Sequence, residues 1–150
     1  MNYSYKVPCS KNQLQCIRNF IHKTLDKFII SDIDKCQIVL AIDEVCSNLM
    51  IHSHNCNPNE SIELHISIKD NQGITFEIQD EGKAFNILDY SEPKLDEIVR
   101  ARRKGGLGIL LVKRIMDQIE FDHDAKNNRN ICRLYKKINI QLPARENKKK

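Results

Sequence analysis

The spacing of apolar residues changes along the chain, and each spacing predicts a different element. After Ser10, a candidate helix cap, a helical series predicts a first helix with one side against a core; its members are Leu14, Ile17, Ile21, Leu25 and Phe28. Ser31 lies three residues before Asp34, as in a capping box. The second helix that it opens runs toward Pro58 through Cys36, Val39, Ile42, Cys46 and Leu49.

From Ser61 the apolar spacing becomes two, which is typical of a strand with one buried face. The alternating residues are Ile62, Leu64, Ile66 and Ile68, and after a turn at 70–73 they continue as Ile74, Phe76 and Ile78. This pattern predicts an antiparallel hairpin. A third helix follows at Leu107 to Met116, then a second hairpin whose strands contain Ile119–Phe121 and Ile131–Tyr135, with a turn at 124–130.

These elements predict an α+β fold, a two-layer α/β sandwich with a mixed, mostly antiparallel sheet and helices on one face. We also expect a short N-terminal strand at Tyr3–Val7. The segment 86–104 holds Pro93 and many charged residues, so it is interpreted as a surface loop or short helix. A loop of that length often covers a ligand, and we expect it to act as a lid.

Composition indicates one domain, because 150 residues with 41% hydrophobic content can bury one core. We expect residues 1–142 to form this domain and 143–150 to be a disordered basic tail. The tail supplies part of the net charge of +4, so the folded part is only mildly basic. With 6% aromatic residues and 20 acidic residues, nucleic acid is not the expected ligand.

No stretch of the sequence has the apolar length of a signal peptide or a membrane span, and we expect a cytoplasmic protein without membrane association. The six cysteines form no Cys-x-x-Cys pair and are interpreted as reduced thiols. His52, His54 and Cys56 alternate near a helix end, a spacing that converges poorly on a metal, so no structural metal is expected.

The predicted second helix carries three polar residues, Glu44, Asn48 and His52, at intervals of four. Four residues advance a helix by one turn plus about 40°, so the three side chains form a polar stripe on a mostly apolar helix. One interpretation is a solvated edge, widened by Asp43 and Ser47. The other is functional, because an amide oxygen and a carboxylate one turn apart can ligate Mg²⁺ and position a nucleophile.

Asp80 and Gly82 come at the end of the strand that contains Ile78. A carboxylate there can accept a hydrogen bond from an exocyclic amine such as that of adenine, and glycine lets the backbone approach the ring closely. Asp-x-Gly is also common in ordinary turns, and this motif alone does not decide between the two.

A glycine-rich stretch, Gly105-Gly106-Leu107-Gly108-Ile109, opens the predicted third helix. Amide groups at such a helix start suit phosphate oxygens, although a hinge before the helix explains the same glycines. The stretch is not a Walker-type loop, because the Gly-x-x-x-x-Gly-Lys-Ser/Thr pattern is absent. Of the basic residues before it, which can simply face solvent, Lys104 is the candidate for a phosphate contact.

In this order, the motifs resemble those of the GHKL (Bergerat-fold) ATPase superfamily. The resemblance covers about residues 5–138 and rests on Glu44-x-x-x-Asn48, Asp80-x-Gly82 and Gly106-x-Gly108. Finer details look most like the bacterial anti-sigma factor serine/threonine kinases: Asp43 before Glu44, His52 four residues after Asn48, Phe85, and the run from Gly105 to Ile109.

The resemblance implies ATP and Mg²⁺ as cofactors and assigns a role to each matching residue. Asn48 would bind the Mg²⁺ that bridges the phosphates, Asp80 would accept from the adenine amine, and Gly82 would line the base pocket. Glu44 would be the general base. The other expected nucleotide-binding residues are His52, Phe85, Lys104, Gly105, Gly106, Leu107, Gly108 and Ile109.

The implied activity is phosphorylation of a serine or threonine on a small anti-sigma factor antagonist protein by a kinase that also sequesters a sigma factor. A homodimer is implied as well. Two alternatives stay open: a non-catalytic switch in which ATP or ADP alters binding to a partner, and a simple ATPase in which Glu44 activates water. The segment 87–103 has no distinctive motif, so the identity of the partner does not follow from the resemblance.

Overall fold

The computed structural model describes residues 1–52, 59–69, 72–81 and 105–140, and the side chains at 1–50, 59–69, 72–81 and 108–140. The elements in chain order are β1 (Asn2–Pro8), a 3-10 turn (Lys11–Gln13), α1 (Leu14–Leu25), α2 (Asp32–His52), β2 (Ser61–Lys69), β3 (Gly73–Asp80), α3 (Gly105–Ile115), β4 (Gln118–Asp124) and β5 (Arg129–Lys136). Their order is the one predicted from the apolar spacing.

The first helix is shorter than its apolar series suggested. Ser10 caps the 3-10 turn that leads into α1, where its hydroxyl accepts from the Asn12 amide at 3.4 Å. At the other end, α1 stops at Leu25, and the Phe28 amide donates to the Leu25 carbonyl at 3.0 Å in the following turn. Phe28 is still buried, so the helical spacing correctly predicted a core residue that lies just outside the helix.

The capping-box-like arrangement predicted at the start of α2 is present as a cap by Ser31 and a bond between the Ser31 and Asp34 side chains. The Asp34 amide donates to the Ser31 hydroxyl at 3.1 Å, and that hydroxyl donates to the Asp34 carboxylate at 2.9 Å. The first of these bonds satisfies a backbone amide that a helix start otherwise leaves without a partner, and the second holds the two side chains together. The Ser31 cap marks the residue at which α2 begins.

The five strands form one sheet in the order β1-β2-β3-β5-β4, and each neighbouring pair is antiparallel. The mostly antiparallel sheet of the prediction is therefore confirmed, and no parallel pairing occurs among the described strands. The register of the central pair places Asp80, at the end of β3, opposite Asn130, near the start of β5.

The sheet has one apolar and one polar face, as the alternation of residues requires. The apolar face of β2 and β3 (Ile62, Leu64, Ile66, Ile68, Ile74, Phe76 and Ile78) packs into one core with buried residues of the helices, among them Ile17, Ile21, Ile38, Ile42, Val45, Leu49 and Val112. The opposite face, called the open face below, carries polar residues such as Glu63, Glu77, Gln79 and Arg133. This arrangement confirms the two-layer sandwich with helices on one face.

Two parts of the sequence prediction lie outside the described residues: the lid at 86–104 and the basic tail at 143–150. The domain boundary at 142 stays a prediction for the same reason. Of the helices in the described ranges, none is long and apolar enough to cross a membrane.

Candidate functional site

Helix α2 carries the first two candidate residues on adjacent turns. Glu44 is partly buried, and Asn48, one turn later, is 7% exposed. Within the described part of the chain, Asn48 Nδ2 has no hydrogen-bond partner. A buried amide without its bond is costly, so natural proteins keep such groups mainly where a ligand, ion or water completes them. The polar stripe on α2 is therefore not simply a solvated edge, because Asn48 points into the molecule.

Glu44 lies directly against the glycine-rich start of α3. A Cβ atom built on Gly108, the fourth residue of α3, would meet Glu44 Oε2 and would lie 2.6 Å from the Glu44 Cδ atom. Carbon atoms do not approach so closely, so the absence of a side chain at 108 provides the space that the carboxylate occupies. The packing of α2 against α3 thus brings the first and third motifs together.

The surroundings of Glu44 change its acidity. Its partial burial raises the pKa of the carboxyl group, and the nearby negative charge of Asp43 raises this pKa further. Asp43 is itself held by Arg18 of α1, whose Nε donates to the Asp43 carboxylate at 2.7 Å. A carboxylate with a raised pKa is a stronger proton acceptor once it is ionised, which suits a general base.

Asp80 ends β3 on the helix-facing side of the sheet and is 2% exposed. Its Oδ1 accepts a hydrogen bond of 2.9 Å from Asn130 Nδ2 of β5. Its charge also reaches α2 and β5, because Asp80 contributes to raising the pKa of both the Cys46 and the Cys132 thiols, after the larger effect of burial. Asp80 is therefore within electrostatic range of the helix that carries Glu44 and Asn48.

The glycine-rich motif forms the first turn of α3, which begins at Gly105 and includes Gly106, Leu107 and Gly108. Ile109 is 3% exposed and anchors this turn in the core, which makes it a packing residue in the described structure. The amides at the start of a helix have no partner within the helix and carry partial positive charge. This turn is consequently suited to an anionic group placed next to Glu44.

Several predicted site residues cannot be compared with the structure. Gly82, Phe85 and Lys104 lie outside the described residues, as do the side chains of His52 and Leu107. The proposed roles of these five residues stay predictions.

Sequence reasoning missed Asn130, which it assigned to a polar turn. The residue is 1% exposed and bonds to the candidate base-binding acid, Asp80. The strand register would have found it, since Asn130 is the partner of Asp80 across the central pair. That register depends on pairing between distant strands and could not be read from local spacing.

In the described ranges, no group of three or more His, Cys, Asp or Glu side chains could hold a metal ion. The amide oxygen of Asn48 could bind a metal ion, but it would supply only one of the ligands that the ion needs. This donor set does not fit a metal held by protein side chains alone, but it fits Mg²⁺, which usually keeps water molecules and takes other oxygens from substrate phosphates.

Solved structures with this fold cover nearly the whole chain. The crystal structure of the RsbU and RsbW domains of Rv1364c from Mycobacterium tuberculosis matches with a TM-score of 0.62 at 13% identity, over 97% of this chain and 34% of that one. SiaB-SiaC from Pseudomonas aeruginosa, solved as a complex, matches with a TM-score of 0.55 at 14% identity, over 91% and 89% of the two chains. At these identities the likeness establishes the fold.

A curated relative is also similar in sequence. It is the serine-protein kinase RsbW of Halalkalibacterium halodurans, 24% identical over 94 residues, which are 59% of this chain and 55% of the relative. The chain thus matches about half the length of this relative.

The family model described as the histidine kinase-like ATPase domain matches residues 7–136. This range spans most of the chain, from β1 to β5, and contains all three motifs. The chain therefore belongs to the histidine kinase-like ATPase family.

Proposed function

We propose that this protein binds Mg-ATP and transfers the γ-phosphoryl group to a serine or threonine of a partner protein, as an anti-sigma factor-type kinase does. The observation that carries the proposal is the contact of the Glu44 carboxylate with Gly108 in the first turn of α3. A proton acceptor lies there beside a helix start suited to phosphate. The partner that we propose is a small anti-sigma factor antagonist, and the regulatory target is a sigma factor.

Nucleotide binding is supported by what the described residues of the three motifs can offer a ligand. Asp80 is a buried acceptor at a strand end, where it can bind an exocyclic amine of the base. The start of α3 offers amide donors to the phosphates, and Asn48 lies buried one turn beyond Glu44. The base would therefore contact the end of β3, and the phosphates would contact the start of α3.

Asn48 would hold Mg²⁺ through its amide oxygen. When bound, the ion would neutralise negative charge on the phosphates. Residues of this chain would position the nucleotide. The amides of α3 would orient the γ-phosphate, and Asp80 would fix the other end of the nucleotide.

In the proposed reaction, the hydroxyl oxygen of the partner forms a bond to the γ-phosphorus. The bond from that phosphorus to the bridging oxygen breaks, and ADP leaves with the electron pair. The hydroxyl proton passes to the Glu44 carboxylate, which must be ionised to accept it. Kinase activity is also supported by the name of the curated relative, a serine-protein kinase.

Binding is tested first, by thermal unfolding with and without ADP or ATP and Mg²⁺. A nucleotide at a hundred times its Kd stabilises the folded protein by about 2.7 kcal/mol. Asp80→Asn should abolish this gain, whereas Asp122→Asn, an exposed acid on β4, should keep it. If nucleotide does not stabilise the unmodified protein, the proposal is wrong.

Catalysis is tested with labelled ATP, Mg²⁺ and a small anti-sigma factor antagonist protein as the phosphoryl acceptor. Glu44→Gln keeps the shape of the side chain but removes its basicity, so transfer should fall by about 10² to 10⁴-fold while nucleotide binding persists. Glu77→Gln, which removes a carboxylate from the open face, is the matched control. Phosphate release without a protein acceptor would favour a simple ATPase, and regulation of the partner that survives Glu44→Gln would favour a non-catalytic switch.

A further inference from the structure

Two consecutive residues of β5, Arg129 and Asn130, form hydrogen bonds with residues at the end of β3, one on each face of the sheet. Side chains of neighbouring residues on a strand point to opposite faces. Asn130 bonds to Asp80 on the helix-facing side at 2.9 Å. Arg129 lies on the open face and contacts Glu81, the residue after Asp80, through Nη2 at 3.4 Å. The segment Asp80–Glu81 is therefore held on both sides.

The Asn130 amide also contacts a third residue on its oxygen side. His123 Nδ1 lies 2.9 Å from Asn130 Oδ1. Because Nδ2 donates to Asp80, Oδ1 is the acceptor, and His123 must donate from Nδ1. An amide turned by 180° would present its oxygen to the Asp80 carboxylate, which only accepts, so the bond to Asp80 would be lost; the amino group could then bond only to the other tautomer of His123. Asp80 thus sets the orientation of the Asn130 amide, and His123 protonated at Nδ1 supports it.

Arg129 forms further hydrogen bonds on the open face. Its Nη1 donates to Glu63 of β2 at 3.0 Å and to Gln79 of β3 at 2.9 Å. The Arg129 side chain is 29% exposed and the Glu63 side chain 26%, so water screens this pair only in part. The hydrogen bond from Arg129 is also the largest cause of the lowered pKa of Glu63. One side chain thus ties β2, β3 and the residue after Asp80 together.

We propose that Arg129 and Asn130 are positioning residues that hold the Asp80–Glu81 segment in the geometry that binds the nucleotide base. The inference rests on the proposed nucleotide function and adds two residues to it. It has a physical basis in preorganisation: a binding carboxylate already fixed in place loses less conformational freedom when the ligand arrives. Neither residue needs to touch the nucleotide for this role.

The open-face contact is tested by Arg129→Met, with Arg133→Met as the matched control. Arg133 lies on the same strand and the same face, and its Nε bonds to Glu77 at 3.2 Å, away from Asp80. ADP affinity is measured by titration calorimetry on the full chain. We expect Arg129→Met to weaken ADP binding about tenfold, and Arg133→Met to leave it within about twofold.

A second measurement needs no nucleotide. Hydrogen exchange of the Glu81 amide should be faster in Arg129→Met than in Arg133→Met, because of these two arginines only Arg129 bonds to Glu81. Arg129→Lys, which keeps the charge but not the fork of donors, should restore part of the ADP affinity. Equal affinities and equal exchange rates in the two Met variants would overturn the role of Arg129.

The helix-facing contact is tested by Asn130→Leu, which has a similar shape and no donor. We expect this variant to reduce the preference for ADP over inosine diphosphate, which lacks the exocyclic amine that Asp80 would bind. His123→Ala should weaken this preference less, since His123 only supports the orientation of the Asn130 amide. A simple loss of stability would lower both affinities together and leave the preference unchanged, which would overturn the role of Asn130.

ADP binding by the unmodified protein distinguishes a failure of the positioning role from a failure of the proposed function. If it binds no ADP, the proposed function and the positioning role both fail. If it binds ADP while Arg129→Met and Asn130→Leu behave like the control, only the positioning role fails. A folded state of each variant is verified by its thermal unfolding transition.

Discussion

At the scale of single residues, the acidity of Glu44 links its surroundings to the proposed reaction. Burial raises the pKa of Glu44, and the charge of Asp43 raises it further. A general base works only when ionised, so the rate of transfer should rise with pH through this pKa. Asp43→Asn removes the smaller of the two causes, and it also frees the positive charge of Arg18. Both changes lower the pKa of Glu44.

We therefore expect the rising limb of the pH–rate profile to move to lower pH in Asp43→Asn. The measurement is single-turnover transfer to the antagonist between about pH 4 and 8. Asp122→Asn, which removes an exposed acid from β4, should leave the limb in place. A limb that does not move, or that moves to higher pH, would show that Glu44 is not the group being titrated.

The thiols provide a prediction that does not depend on the proposed function. Burial, with a contribution from the charge of Asp80, raises the pKa of Cys132 to about 12, and burial also raises that of Cys46 well above its usual range. Only the thiolate reacts readily with iodoacetamide, so neither residue should be labelled in the folded protein at pH 7. Cys36 is exposed and should be labelled quickly. Mass spectrometry of digested peptides measures each site, and rapid labelling of Cys132 would contradict the described core.

At the scale of elements, the contact of α2 with α3 makes glycine necessary at position 108. In Gly108→Ala the added methyl group would occupy the space of the Glu44 carboxylate, which would have to move away. Alanine favours a helix over glycine by about 1 kcal/mol, so α3 itself should not be weakened. A misplacement of about 1 Å can cost a hundredfold in rate, and we expect a loss of that order in phosphoryl transfer.

The control for Gly108→Ala is Arg114→Ala, at an exposed position of the same helix. Both variants should unfold at temperatures close to that of the unmodified protein, and only Gly108→Ala should lose activity. Full transfer by Gly108→Ala would mean that Glu44 adopts a different position during the reaction.

Local patterns predicted the elements well where their cause is local. The Ser31 cap needs only residues three positions apart, and the structure contains the bond from the Asp34 amide to the Ser31 hydroxyl. Phe28 marks the limit of this kind of prediction. It continues the helical spacing of apolar residues and is buried, but the helix itself ends at Leu25. Apolar spacing reports which side of the chain meets the core, whereas the end of a helix depends on its backbone bonds.

At the scale of the whole molecule, pairing between distant strands determines which residues contact the candidate site, and local sequence patterns do not predict these contacts. The motifs with Glu44, Asn48 and Asp80 are visible in the sequence because each has a characteristic local spacing. Asn130 meets Asp80 only through the register of β3 with β5, and Arg129 reaches Glu63 only across β3. Such contacts join residues separated by 50 and 66 positions. No local periodicity encodes them.

The long-range pair of Arg129 and Glu63 also predicts how stability responds to acid. The lowered pKa of Glu63 in the folded protein means that the unfolded chain takes up a proton at higher pH than the folded one does. The stabilisation is therefore complete above the unfolded pKa of about 4.3 and is lost as the pH falls through the lower, folded value. Partial exposure of both groups limits its size to about 1 kcal/mol.

Glu63→Gln removes the titrating group and keeps a side chain of similar shape. We expect this variant to be less stable than the unmodified protein at pH 7, and the difference to shrink as the pH is lowered below about 4. Urea unfolding at a series of pH values measures it, with Glu120→Gln, an exposed acid on β4, as the control. Because Arg129 joins β2 and β3 to β5, the lost stability should appear in the unfolding of the whole sheet rather than in fraying of one strand. A difference that stays constant with pH would show that the ionised pair does not contribute.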